Sequence, residues 1–115
     1  MTTRACWLVS NGHVLASAEE ATDRRERSKG LLRRDGVDGA FVIPQCRWVH
    51  TFGMRFAIDV AHVDEHGTVL RTVRMRPNRL GAPVWHAHTV VEAEAGAFAR
   101  WGLGVGDVVE IRDLP

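Results

Sequence analysis

Tyrosine is missing from this chain and Lys29 is its only lysine, so its basic side chains are almost all arginines. Such a bias is what a GC-rich genome produces, and it carries no functional weight. Cysteine is scarce too: Cys6 and Cys46 stand alone, with no C-x-x-C, which excludes the usual redox and zinc signatures. Two free thiols in a reducing compartment are expected. No run of 18 apolar residues exists, which excludes a membrane-spanning helix. The stretch Met1 to Ala5 is too short and polar for a signal peptide, so a cytoplasmic location is expected. Charge of one sign is lacking as well. A net charge of +1 gives no strong pull toward nucleic acid or acidic lipid, and neither partner is expected. There is no G-x-S-x-G, no internal repeat and no low-complexity linker.

What is present suits one soluble domain spanning residues 1–115, with 45% hydrophobic and 25% charged residues. The densest stretch runs from Cys46 to Asp64, C-R-W-V-H-T-F-G-M-R-F-A-I-D-V-A-H-V-D. Trp48, Val49, Phe52, Met54, Phe56, Ile58, Val60 and Val63 supply apolar bulk around His50, Thr51, Arg55 and Asp59. A polar group buried there without a partner costs about 1–3 kcal/mol, so the stretch is either a core strand with tied-down polar groups or the floor of a site.

In chain order, Cys6–Val9 and His13–Ala16 read as strands around the turn Ser10-Asn11-Gly12. A polar helix is predicted from Thr22, its N-cap, to Arg34, with Glu26 slightly late for a capping box and Gly30 inside it. Ala40–Ile43 reads as a buried strand stopped by Pro44. Arg47–Thr51 is expected as a strand or extended arm, and Met54–Asp64 as a central strand that buries Asp59. Asp64–Gly67 is a tight turn and Thr68–Val73 the returning strand. Arg74–Val84 reads as a long loop, Trp85–Ala95 as a strand, Gly96–Trp101 as a short helical turn and Val108–Ile111 as the last strand. The fold class is therefore α+β: a small β-rich domain with one main helix in its N-terminal half and a short helical turn before the last strand.

Several polar groups invite chemistry. The H-x-H of His86 and His88 would share one face of a strand, with His50, Asp59 or Glu92 to complete a metal set; the pattern is common and its members are far apart, so no metal is expected. Asp59 orienting His50 would make an acid–base pair, the catalytic candidate, beside the Thr51 hydroxyl. The structural alternative is that His50, Thr51, Arg55 and Asp59 satisfy one another. Cys46 precedes His50 by four residues, roughly 13 Å along a strand, which argues against a Cys–His dyad. The glycines of Gly102-Leu103-Gly104-Val105-Gly106-Asp107 read as turns, since no phosphate-loop spacing is present.

Taken together, these residues resemble the DUF192 family of small bacterial and archaeal proteins. Glu26-Arg27-Ser28-Lys29-Gly30-Leu31-Leu32 resembles its E-R-x-x-G-L-M block, with leucine for methionine. His50 to Val60 is similar to H-T-F-x-M-x-F-x-I-D-V, and Asp64 to Val69 to D-x-x-G-x-V. Val91 to Gly96 resembles a block ending L-E-l-p-A-G, with Glu94 where proline is usual, and Gly102 to Asp107 resembles G-x-x-x-G-D. The resemblance implies a β-rich, barrel-like domain with one main helix and no established activity, in a family with some exported members. It singles out Arg27, Gly30, His50, Thr51, Met54, Asp59, Glu92, Gly96, Gly106 and Asp107. Arg27 would line a site or pin the helix to the sheet through Asp59 or Glu92.

Two functional expectations follow. One is a small-molecule site, with or without weak catalysis, in a cleft lined by Trp48, Phe52 and Met54, with Arg27, His50, Thr51, Asp59 and Glu92 as its polar groups. The other is a non-catalytic protein-interaction module whose patch would be built from Trp7, Trp85 and Trp101. No cofactor or oligomeric state is legible.

Overall fold

The computed structural model describes residues 3–114. Its elements are β1 (Thr3–Ser10), β2 (His13–Ala21), α1 (Arg24–Lys29), β3 (Ala40–Pro44), β4 (Ile58–Val63), β5 (Val69–Met75), β6 (Thr89–Glu94), α2 (Ala97–Trp101) and β7 (Val109–Asp113). One sheet takes all seven strands in the order β5-β4-β6-β3-β2-β1-β7. Neighbours are antiparallel except β2 and β3, whose parallel pairing requires the crossover that carries α1.

The central strands explain the apolar patterning. Every residue of β4 is buried, because the strand lies between β5 and β6 and is covered on both faces. Ile58 and Val60 join Phe41, Ile43, Leu31, Met54 and Val90 in one apolar cluster. Ala61 and Val63 join Leu8, Val42, Val91, Phe98 and Leu103 in the other. Alternate residues of one strand thus feed two cores, as the period of two requires. The first cluster is packed under α1 and the chain that follows β3; the second receives α2.

The sheet's edges, β5 and β7, touch at one end. Thr68 bridges Val108, the Val69 N–H donates to the Asp107 carbonyl at 2.8 Å, and the Gly106 N–H donates to Val69 at 2.9 Å. Gly67 makes this approach possible: at φ +87° a Cβ would lie 2.4 Å from the Val109 carbonyl oxygen. The contact stops there, so the sheet is not closed into a barrel; the β-rich α+β description holds and the barrel likeness extends only to these meeting ends.

Element limits differ from expectation for identifiable reasons. β1 and β2 pair from Thr3–Ala21 to Ser10–His13, so the hairpin is much longer than its apolar centre suggested. Helix α1 is shorter than expected. Asp23, not Thr22, is its N-cap, and its side chain accepts from the Glu26 N–H at 2.8 Å. Gly30 is its C-cap rather than an interior residue, at φ 52° and ψ −129°. Residues 47–57 form no strand; His50 only bridges Leu80. Trp85 to His88 also lies outside β6, so the two exposed histidines share no strand face. Among the described residues, no helix is long and apolar enough to cross a membrane.

Candidate functional site

A cavity of about 70 Å³ lies between α1 and the arm that follows β3. By the rule that one water needs roughly 10–15 Å³, it admits several waters or a small organic group. Arg27, Gly30, Leu31 and Leu32 form one wall, and Cys46, Trp48, His50, Phe52 and Met54 the other. Ile43 and Glu92 close the bottom from β3 and β6.

Glu92 dominates the electrostatics. It is 4% exposed, and among the described residues no donor or cation pairs with its carboxyl. Burial alone acts on it, pushing its pKa up to about 7. A carboxyl poised there can hold or release a proton near neutrality. Gly30 lets the backbone of the helix end come down over it: a Cβ at Gly30 would stand 3.6 Å from Glu92 Oε1, and the positive φ disfavours any side chain. Arg27 borders the same cavity half-buried, without an ion pair to Glu92 or Asp59 among the described residues.

The opposite wall is an aromatic ladder. Trp48, His50 and Phe52 alternate along the extended arm, so their rings fall on one side. Ring centres are 5.4 Å apart for Trp48–His50 and 5.3 Å for His50–Phe52. The Phe52 N–H donates to His50 Nδ1 at 3.2 Å. With Nδ1 accepting, the neutral imidazole carries its proton on Nε2 and offers a donor rather than a base. Cys46 also reaches the cavity, because the chain turns at Gln45 (φ 56°) instead of running on as a strand. Cys46 and His50 thus both line the cavity, but Cys46 bonds to Trp48 and His50 to Phe52, so no Cys–His dyad is formed. Burial is the main cause that pushes the Cys46 thiol up, and its Sγ–H donates to the Trp48 carbonyl at 3.3 Å, so it stays a thiol and a poor nucleophile.

Two other candidates lie elsewhere. Thr51, fully buried, faces away from the ladder and ties down the loop after β5. Its hydroxyl donates to the Arg76 carbonyl at 2.6 Å and accepts from the Arg79 N–H at 2.9 Å. Its backbone N–H and carbonyl engage Arg79 and Asn78, both at 2.8 Å. Thr51→Val keeps the shape and the backbone bonds but leaves the Arg76 carbonyl and the Arg79 N–H without the hydroxyl; stability should fall by about 2 kcal/mol in denaturant unfolding, and a loss below about 0.5 kcal/mol would refute the role. Asp59 lines a different recess with Arg74 and Phe98. Its Oδ1 accepts from Arg74 Nε at 3.1 Å, and its Oδ2 from the Gly96 and Phe98 N–H groups at 3.0 and 3.2 Å. His50 and Asp59 are therefore not brought together.

The remaining candidates are dispersed. His88 Nδ1 contacts Thr89 Oγ1 at 3.3 Å, and among the described residues no three His, Cys, Asp or Glu side chains gather as a metal set. Trp101 is half-buried against Phe98, while Trp85 borders another recess beside His86 and His88. Arg27 was named in advance, but the apolar part of the helix wall, Leu31 and Leu32, was missed by sequence reasoning. Its signal was the apolar pair that closes an otherwise polar segment.

Residues 7–111 match DUF192, described as an uncharacterized ACR. The chain belongs to this family. A UPF0127 protein of Pyrococcus abyssi is 33% identical over 84 residues, covering 70% of this chain and 72% of that protein. Among solved structures, a protein of unknown function from Novosphingobium aromaticivorans superposes with a TM-score of 0.77 at 19% identity, over 94% of this chain and 84% of that one. A candidate transcription regulator from Sinorhizobium meliloti gives 0.75 at 19% identity, over 96% and 94%. At that identity the two structures establish the fold alone. In this DUF192 chain, the E-R-S-K-G-L-L and H-T-F-G-M blocks supply facing walls of one cavity, and Glu92 its floor. The I-D-V and A-G blocks meet instead at the Asp59–Gly96 hydrogen bond.

Proposed function

We propose that this DUF192 domain binds a small molecule in the cleft over Glu92. The observation that supports it is a deeply buried carboxyl with no partner among the described residues, facing a cavity walled by aromatic rings and a glycine-opened helix end. Proteins rarely leave such a group unpaired, because its desolvation is uncompensated; a ligand donor would compensate it. The ligand that fits is compact and largely apolar, with an N–H or O–H for Glu92. Met54 and the Trp48 and Phe52 rings would pack against its body. His50 would donate through Nε2, and Arg27 would border the entrance. Any proton transfer would run through Glu92, with Thr51 and Asp59 holding the scaffold.

A screen of metabolite-sized fragments by ligand-observed NMR tests this. Hits should weaken at least about tenfold in both Glu92→Gln and Phe52→Ala, the latter chosen because Phe52 is 49% exposed and the fold should tolerate it. An empty screen, or hits indifferent to both changes, would sink the reading. The exposure of Trp48 and Phe52 also favours a second reading, a protein contact at the cleft mouth. A partner captured through Phe52 yet indifferent to Glu92 would select it.

A further inference from the structure

A second recess, of about 450 Å³, shares Val49 with the cleft but opens between β5 and the loop of residues 76–82. Arg71, Arg74, Arg76 and Arg79 line it, and no acidic residue does. In a chain of net charge +1 this is a marked local excess. Arg74 is engaged by Asp59, and Arg79 Nη1 donates to the Pro77 and Asn78 carbonyls at 3.3 Å each. Arg71 and Arg76 are exposed and make no ion pair among the described residues.

An independent observation comes from His62, which also lines the recess. It is 2% exposed, and neither ring nitrogen has a hydrogen-bond partner among the described residues. It stands directly across the strand pair from Arg71. A neutral imidazole carries one N–H, and His62 buries it with no acceptor in reach.

We propose that this recess is an anion site for a small ligand carrying a phosphate group. Phosphate oxygens supply the acceptors that the free guanidiniums lack, a guanidinium fork matches two of them at once, and the buried His62 ring across from Arg71 would feel the anion's charge. Leu80 and Met75 offer apolar contact for the ligand's remainder. No Phe, Tyr or Trp lines the recess and the His62 ring is buried, so the exposed stacking platform that holds single-stranded nucleic acid is lacking there, which favours a small ligand over a polynucleotide. The site is separate from the Glu92 cleft and does not depend on it.

The test titrates the ¹⁵N-labelled full chain with inorganic phosphate and pyrophosphate at constant ionic strength, following the His62 ring nitrogens and the backbone of β5. Saturable shifts at His62 and Arg71 are expected. The double variant Arg71→Gln with Arg76→Gln should weaken binding at least about tenfold, while Arg112→Gln, a charge on β7, leaves it unchanged. Shifts that never saturate, that spare His62, or that persist in the double variant would overturn the proposal. A short oligonucleotide binding through the same arginines at least about tenfold more tightly than pyrophosphate would also overturn it, reassigning the surface to nucleic acid.

Discussion

Asp59→Ala will destabilise the fold by about 3 kcal/mol, chiefly by uncapping α2 rather than by breaking an ion pair. The helix begins at Ala97 behind Gly96, whose left-handed backbone offers no side-chain cap. The first N–H groups of any helix need acceptors from elsewhere, and here Asp59 supplies one oxygen to both Gly96 and Phe98 from the neighbouring strand. Phe98 is core, so losing the carboxylate leaves a buried N–H unpaired beside a new cavity. The Arg74 pair contributes little, since that guanidinium is largely exposed; Arg74→Ala should cost under about 1 kcal/mol. Asp59→Asn, keeping one acceptor oxygen, should fall between the two. Urea unfolding of the three variants decides the matter. An Asp59→Ala loss below about 0.5 kcal/mol, or one equal to that of Arg74→Ala, would show that the cap is not what Asp59 provides.

The same residue shows how far the sequence could be read. Alternation around Ile58, Val60 and Val63 placed Asp59 on a buried, central strand, and it lies there. Alternation could not say which partner would take its carboxylate, because Gly96 and Phe98 are remote in the chain and meet it only through the β4–β6 register. The arm shows the opposite limit. Trp48, His50 and Phe52 look like a strand by period, yet the loop of residues 79–84 meets the arm through one bridge and a few backbone bonds rather than a continuous ladder, so the pattern yields an aromatic wall instead. Helix α1 begins one residue later than predicted because Asp23 outcompetes Thr22 for the cap, which puts Glu26 at the capping-box position. Of the cleft, Trp48, His50, Phe52, Met54 and Glu92 were nameable from composition and motif. Cys46 was not, since its reach depends on a left-handed turn at Gln45.

Glu92 gives the pH dependence its sign. Its folded pKa is raised from the usual 4.5 to about 7, so between those values the folded chain holds a proton that the unfolded chain has released. Stability therefore declines as pH rises from 4.5 to about 7, by up to about 3 kcal/mol at roughly 1.4 kcal/mol per unit. Two groups oppose it. His62 is held neutral by burial and by Arg71, so its contribution grows as pH rises toward 6.5. Glu19, lowered by its Arg34 hydrogen bond, acts in a lower window and loses its contribution as pH falls below 4.5. Glu92→Gln isolates the wanted term, because both opposing slopes survive in the variant and cancel in the difference. The variant should match the wild type near pH 4.5 and exceed its stability by more than about 1 kcal/mol near pH 8. A difference that stays constant across that range would mean that Glu92 finds a donor in solution, and would remove the physical basis for a ligand site above it. If the difference appears, a ligand that donates to Glu92 should stabilise the wild type most above pH 7, where the bare carboxylate has most to gain.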